Sequence, residues 1–458
     1  MAPNALNRHV ALVGFMGAGK TTLGPELARR LGRDFVSTDA LVEERTGNSI
    51  PQLFAERGEA AFRELEAHAV HDVLDRRTPA VIELGGGALG SERTRRALAA
   101  SAFTLLVETT AAEAWDRVAG SDRPLAQDQD RFRALFDERR PLYETAADGR
   151  ARDLDSAVLA AAGIVLASRA EAAGEAIVAD ERVAELHAID ATHTVPPGEA
   201  AKTVAEAERL WRSLDLERRG TLVAVGGGST IDLVGFVAAT FLRGMPWVAV
   251  PTTLVGQVDA AIGGKTGIDL PQGKNLVGAF HWPARTVIDV SFLATLPPAE
   301  LENGRAEVVK TGLLAGEELW MLPLEKQVRR CAAFKAAVCL RDPLDRGERA
   351  QLNLGHTFAH ALEAASGYSL PHGRAVALGL LAALRLSDLD GLAREVQELL
   401  AVETVPVDPD RAWDALTRDK KRHDGRVRVV LLESPGSPRI DVELPDGDLR
   451  RALEALIQ

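Results

Sequence analysis

The stretch His9-Val-Ala-Leu-Val-Gly14-Phe-Met-Gly-Ala-Gly19-Lys20-Thr21-Thr22 decides how the first part of the chain is read. A short apolar run meets the pattern G-x-x-x-x-G-K-[ST], and an amphipathic segment follows. In a strand–loop–helix context, such glycines let backbone N–H groups turn inward around phosphate oxygens. The positive end of the following helix points at the same place. Gly17, Ala18, Gly19, Lys20, Thr21 and Thr22 are therefore the expected nucleotide cradle. Lys20 is placed for the β- and γ-phosphates, and Thr21 offers a hydroxyl to Mg²⁺.

Working outward, the loop accounts for only a fraction of 458 residues. At ~150 residues per domain this length suggests two or three domains. A content of 46% hydrophobic and 26% charged residues is ordinary for a soluble globular chain. The net charge of −12 argues against a nucleic-acid or anionic-membrane surface, while leaving room for local basic pockets. Cys331 and Cys339 have neither C-x-x-C nor zinc-finger spacing and read as reduced structural thiols. The N-terminus shows no basic region followed by an apolar core, and no apolar run reaches the ~18 residues of a membrane helix. A cytoplasmic protein is expected.

From Val10 to about Ala160, short apolar strands (Val10–Val13, Ala80–Leu84, Thr104–Val107) alternate with amphipathic helices, the pattern of a layered α/β unit with a parallel sheet. Asp148–Asp180 is alanine-rich with little strand signal before Ala176–Ala179, and reads as a domain end and a short connector. Strands resume at Ile177–Ala179, Thr221–Val225 and Trp247–Val250, and after Leu296-Pro-Pro298 helical periodicity dominates through Ala401. A short mixed tail follows at Val427–Leu432. The expected divisions are 1–160, 161–298 and 299–458.

Several features accompany the phosphate loop. Asp39 follows Phe35-Val36, Arg63 lies in Phe-Arg-Glu-Leu-Glu66, and Gly85-Gly86-Gly87 follows an apolar run. Arg123-Pro-Leu125 and Arg139 come later. Singly each has a plain explanation, a helix cap for Asp39 or solvated surface for the arginines. Together with Arg45–Ile50 (Arg-Thr-Gly-x-Ser-Ile), Leu-Gly-Gly-Gly-Ala and Arg139-x-Pro-Leu-Tyr143, they make residues 8–160 resemble the shikimate kinase family. The resemblance implies phosphoryl transfer from ATP, with Mg²⁺, to the 3-hydroxyl of shikimate. Asp39, Arg63, Gly86, Gly87 and Arg139 would bind shikimate, and Asp39 would accept the hydroxyl proton. Arg123 would be the lid residue closing on the phosphates, and Arg117 would lie against the adenine. Where the family usually has Asp-x-Asp, this chain has Ser37-Thr38-Asp39. The first acidic residue helps hold Mg²⁺ through water, so weaker Mg²⁺ affinity is expected here.

Further along, Gly226-Gly227-Gly228-Ser229-Thr230-Ile231-Asp232 follows a strand and opens a helix, so its amides can receive a pyrophosphate. It is not the G-x-G-x-x-G fingerprint. Pro251-Thr252-Thr253, Asp259 through Gly264-Lys265-Thr266-Gly267, and Gly273-Lys274-Asn275 suggest a cradle for anionic oxygens. Glu307 and Lys310 follow, then His356, His360 and Glu363 in one run, and His372. Histidines four apart share a helix face and, with a carboxylate, can complete a three-ligand zinc site with an open position.

From Pro196 to about Gly425 the chain resembles the 3-dehydroquinate synthase family. The resemblance assigns zinc, with cobalt as the other candidate metal, to Glu307, His356 and His372, and leaves His360 as a substrate-facing acid/base. Asp259, Lys265, Lys274, Asn275, Lys310, Lys335, Arg349 and Asn353 would line the substrate site. Arg243 would reach a partner's substrate phosphate across a homodimer interface. Asp180, Glu199, Lys202, Gly227, Gly228, Asp232, Thr252 and Thr253 would hold NAD, with Lys265 and Lys274 beside it. Asp419-Lys420-Lys421 looks like the family's late lysine pair. The implied reaction is cyclisation of 3-deoxy-D-arabino-heptulosonate 7-phosphate to 3-dehydroquinate with loss of phosphate. Transient oxidation by NAD would acidify a C–H, phosphate would leave, and the hydride would return.

The resulting expectation is a P-loop kinase domain with a parallel sheet, then an α/β NAD-binding lobe and a mostly helical metal-binding lobe. It is a bifunctional shikimate-pathway enzyme acting on small molecules. Two rivals stand beside it: a kinase fused to a related sugar-phosphate cyclase or metal-dependent polyol dehydrogenase, and a chain with one degenerate half serving as a binding or dimerisation module.

Overall fold

The computed structural model describes residues 4–120, 128–418 and 426–458. The chain divides into two compact units, Met1–Val165 and Leu166–Gln458. In the first, strands β1 (His9–Val13), β2 (Phe35–Ser37), β3 (Val81–Glu83), β4 (Ala102–Val107) and β5 (Gly149–Ala151) form a sheet ordered β2-β3-β1-β4-β5. Every ladder is parallel. All five residues of β1 are buried, as expected of a central strand flanked on both edges and covered on both faces. Ala11, Val13, Ile82 and Leu106 share one core with Val70, Val73, Leu98 and Phe132 from the surrounding helices. The strand order reverses at β1, and its C-terminal end is where an open α/β sheet leaves a crevice for a ligand.

The phosphate loop occupies that end. The helix Lys20–Leu31 starts directly after Gly19, which is left-handed at φ 95°. Gly17 is held at φ +78°, and a Cβ there would stand 2.5 Å from the Ala114 carbonyl oxygen, so both backbone conformation and space require glycine. β2 ends at Ser37, whose hydroxyl caps the helix Thr38–Thr46 by accepting from the Ala40 N–H at 3.4 Å.

One expectation needs correcting. The stretch before Ala176, read as a domain end and a short connector with little strand signal, contains β5, a helix at Leu154–Ala161 capped by Asp153, and a further strand, β6 (Ile164–Leu166). Strands of three residues are too short to display a period of two, and the eight-residue helix, polar only at Asp155 and Ser156, is too short to display a helical one.

A further six-stranded sheet has β6 at one edge. β7 (Ala176–Asp180), β8 (His193–Val195), β9 (Leu222–Gly226), β10 (Trp247–Pro251), β11 (Lys265–Leu270), β12 (Gly273–Phe280) and β13 (Arg285–Ile288) follow. The sheet order is β6-β13-β10-β9-β7-β8, while β11 and β12 form a separate antiparallel hairpin. The glycine-rich stretch read as a cradle is thus built on paired strands. Beyond Pro298 come the helices Pro298–Ala315, Leu324–Arg341, His356–Ala365, His372–Arg385, Asp390–Leu399 and Pro409–Arg418. A hairpin of β14 (Arg428–Ser434) and β15 (Ser437–Glu443) and a last helix, Asp446–Glu454, close the unit. Phe358, Leu362, Val376, Leu380 and Leu384 lie in the core of this helical part. No helix among the described residues is long and apolar enough to cross a membrane.

Candidate active sites

In the first unit, Lys20 is buried and bends back over its own loop, donating to the carbonyls of Gly14 at 2.7 Å and Phe15 at 3.2 Å. Its ammonium therefore lies inside the phosphate cradle. Arg117, expected against an adenine, donates to the Gly17 carbonyl at 2.9 Å and so braces the loop from outside. Thr21 donates its hydroxyl to Glu83 Oε1 at 2.6 Å. Ala18 and Thr22 flank these contacts, Ala18 buried and Thr22 exposed at the start of the helix.

A second cavity of about 410 Å³ is lined by Arg63, Gly86, Gly87 and Arg139, together with Glu59, Glu66 and Tyr143. The Gly86 carbonyl accepts from Arg139 at 3.2 Å and from the Tyr143 hydroxyl at 2.5 Å. Arg63 is paired with Glu66 at 2.8 Å and Glu59 at 3.0 Å, so its guanidinium is already aligned along the cavity wall. Burial raises the Glu66 carboxyl above the usual carboxylate value, against the pull of Arg63. Asp39 borders the same glycine run, since a Cβ on Gly85 would stand 2.7 Å from its Oδ1. Arg123 lies outside the described residues. Sequence reasoning passed over Glu83. The signal was available, an acidic residue ending a strand otherwise made of buried apolar residues.

In the second unit, three helices converge on one point. Pro298–Ala315 carries Glu307, His356 opens the helix His356–Ala365, and His372 opens His372–Arg385. The ligand atoms of these three residues lie within 4.8 Å of one another. Glu307 Oε1 is 3.5 Å from His356 Nε2 and 3.3 Å from His372 Nε2. The close approach depends on Gly373, where a Cβ would fall 2.3 Å from the Asn303 backbone. The other ring nitrogens are engaged behind the cluster, His372 Nδ1 with Glu363 at 3.2 Å and His356 Nδ1 with the Leu354 carbonyl at 3.3 Å. Such outer contacts fix the ring orientation of a metal-binding histidine. His360 stands beside the cluster, its ring centroid 5.5 Å from that of His356.

Burial by itself would raise the Glu307 carboxyl, but Lys310 and the two histidines hold it well below the usual range. Lys310 is equally buried, pairs with Glu307, and is kept above the ordinary lysine value by Glu307 and Asp259. His372, which burial would lower, is pushed up to about 10 by its two carboxylate neighbours. One carboxylate and two imidazoles around an open point form the donor set of a catalytic zinc site.

A cleft of about 1640 Å³ opens beside the cluster. It exceeds the roughly 300–1,000 Å³ of an ordinary small-molecule pocket, so it can hold a cofactor and a substrate together. At one end the helix Gly228–Thr240 begins at Gly227 with no side-chain cap, leaving N–H groups free for a pyrophosphate. Among the described residues the buried Thr252 hydroxyl there has no hydrogen-bond partner, and Thr253 accepts from the Gly256 N–H at 3.0 Å. Asp232 pairs with Lys202 at 2.9 Å, and Asn275 also accepts from Lys202. Glu199 stands 3.6 Å from Lys274, whose ammonium lies over the Tyr368 ring at 5.2 Å. Asp180, which lines the far wall, caps the helix Glu181–His187.

Towards the metal-type cluster, Lys335 donates to Asp259 Oδ1 and to its carbonyl, both at 2.7 Å. Arg349 donates to the Gly263 carbonyl at 2.8 Å, Lys265 pairs with Asp345, and Asn353 lines the wall. The cleft thus gathers the expected synthase residues except Glu307, buried behind the wall, and Arg243. Arg243 is exposed at φ 64°, next to Leu242 at φ 49°. Asp419, Lys420 and Lys421 lie outside the described residues.

Residues 16–167 match the family model for shikimate kinase. Residues 192–303 match the model for the 3-dehydroquinate synthase N-terminal part, and 304–422 that for its C-terminal part. A 3-dehydroquinate synthase of Symbiobacterium thermophilum is 44% identical over 292 residues, covering 57% of this chain and 82% of the relative. One from Paracoccus denitrificans is 39% identical, covering 65% of this chain and 93% of the relative. Among solved structures, a 2-epi-5-epi-valiolone synthase of Streptomyces hygroscopicus subsp. jinggangensis, with NAD⁺ and Zn²⁺ bound, aligns at TM-score 0.56 and 27% identity. That alignment covers 64% of this chain and 96% of the other. A 2-deoxy-scyllo-inosose synthase aligns at TM-score 0.56 and 24% identity over 61% of this chain and 90% of the other, a likeness of fold. The chain belongs to the 3-dehydroquinate synthase family and carries a shikimate kinase domain ahead of it, a bifunctional enzyme of the shikimate pathway.

Proposed function

We propose that each unit contains one working active site built from the residues placed above, with domain limits near 160 and 298. In the kinase site, Lys20 and the loop amides bind the β- and γ-phosphates of ATP, and Thr21 faces Mg²⁺. Mg²⁺, when bound, neutralises phosphate charge. Arg63 and Arg139 hold the shikimate carboxylate, for which a guanidinium fork is suited. Gly86 and Gly87 allow the ring to approach the backbone, and Asp39 takes the proton from the 3-hydroxyl. Arg117 steadies the loop, and Arg123 closes over the phosphates.

In the synthase site, Asp180 and the Gly227–Gly228 turn would hold NAD. Glu199, Lys202, Asp232, Thr252 and Thr253 would hold it as well, with Lys265 and Lys274 beside it. Glu307, His356 and His372 hold zinc. The bound groups supply hydride exchange and polarisation of the substrate's hydroxyls. The chain supplies position and charge: Lys265, Lys310, Lys335 and Arg349 surround an anionic substrate, while Asp259 is anchored between Lys310 and Lys335. Asn275 and Asn353 orient hydroxyls, and His360 exchanges protons with the substrate. Arg243 completes a partner's phosphate site in a homodimer, for which its exposed position outside its own cleft is the support. The setting is the cytoplasm.

The observation that carries this reading is the convergence of Glu307, His356 and His372 beside the cleft that holds the uncapped helix start. Two assays on the whole protein test it. Phosphate release from the heptulosonate phosphate should require NAD and zinc, and ADP formation should require shikimate and Mg²⁺. Silence in either assay refutes the corresponding site.

A further inference from the structure

We propose that Glu83 is a magnesium-holding residue of the kinase site, acting with Thr21. The inference rests on the kinase reading and adds a ligand to it.

Three observations carry it. The first is position. Glu83 ends β3, in register with Leu12 of the phosphate-loop strand on one side and Ser37 of β2 on the other. A loop hydroxyl together with a carboxylate from a nearby strand is the general way such folds hold Mg²⁺. The second is contact. Glu83 Oε1 lies 2.6 Å from Thr21 Oγ1, bringing together two hard oxygen donors of the kind Mg²⁺ takes. The Glu83 backbone is fixed from below, its carbonyl accepting from Thr38 at 3.1 Å.

The third is charge. Among the described residues the Glu83 carboxylate is met by a neutral hydroxyl, that of Thr21, and no basic side chain pairs with it. Nucleotide phosphates entering the cradle would meet this negative group, and without a cation between them the two would repel. A purely structural hydrogen bond to Thr21 would leave that repulsion in place. A shared Mg²⁺ turns it into attraction. Ser37, the alternative strand-end side chain, is neutral and already committed to capping its helix.

Mn²⁺ serves as the probe, because its unbound signal can be followed by electron paramagnetic resonance. The zinc-loaded full-length protein is titrated with Mn²⁺ in the presence of ADP. Glu83→Gln should weaken Mn²⁺ binding by about tenfold or more. The double variant Ser37→Asp/Glu83→Gln should recover most of that loss, since it returns a carboxylate to the adjacent strand end. ADP binding in EDTA should be the same in Glu83→Gln as in the parent. Unchanged Mn²⁺ affinity in Glu83→Gln overturns the proposal. So does an equal loss of ADP binding without metal, which would make Glu83 a packing residue. The kinase reading fails separately, if the parent protein forms no ADP with shikimate whatever its Mn²⁺ affinity.

Discussion

Glu307 and Lys310 form a buried ion pair one helical turn apart, a costly arrangement unless something else needs the carboxylate there. The two histidines facing Glu307 supply that need. Replacing Lys310 by methionine removes the lysine partner and leaves the buried carboxylate with the two histidines alone in metal-free protein. The expected loss is about 3–5 kcal/mol in urea unfolding, reduced when zinc is present. Glu363→Gln removes the negative charge behind His372 and leaves only a neutral amide oxygen to accept, and should weaken zinc affinity by about tenfold in a chelator competition while the protein stays folded. Much of this was legible in sequence, because the acidic, lysine and histidine positions stand in distinctive runs. Spacing alone could not choose among His356, His360 and His372, since the third partner of a helix-borne pair comes from another helix. Glu83 was visible as an acidic end to an apolar run, but its role was hidden for a related reason. Its meaning depends on β3 lying beside β1, which no local pattern shows.

At the scale of elements, the meeting of the helices Pro298–Ala315 and His372–Arg385 depends on one missing side chain. Gly373→Ala puts a methyl group against the Asn303 backbone, which cannot swing aside as a side chain could. The expected cost is roughly 1–3 kcal/mol, with His372 displaced from Glu307. Thermal unfolding and the zinc content of dialysed protein measure the two effects. In the first unit, Ser37→Ala removes the cap of Thr38–Thr46 and should cost about 1 kcal/mol in denaturant unfolding. The long amphipathic helices and fully buried strands announce themselves, because a core on one face or on both leaves a strong periodicity. β5 and β6 do not, being three residues each, and the β11–β12 hairpin is hidden by its glycines. In both places tertiary pairing, rather than local preference, makes the strand.

For the molecule as a whole, a net charge of −12 coexists with a cleft lined by Lys202, Lys265, Lys274, Lys310, Lys335 and Arg349. An acidic chain has concentrated basic groups where an anionic substrate and cofactor would bind. The two units each have their own core and their own cleft, so damage to one site should leave the other working. The central claim is that one chain houses two enzymes, and one preparation carrying Lys20→Ala tests it most directly alongside its His356→Ala counterpart. Phosphate release from the heptulosonate phosphate and shikimate-dependent ADP formation are measured on both. Lys20→Ala is expected to abolish ADP formation and retain phosphate release, with the reverse for His356→Ala. Loss of both activities in either variant, or persistence of the targeted one, would contradict it.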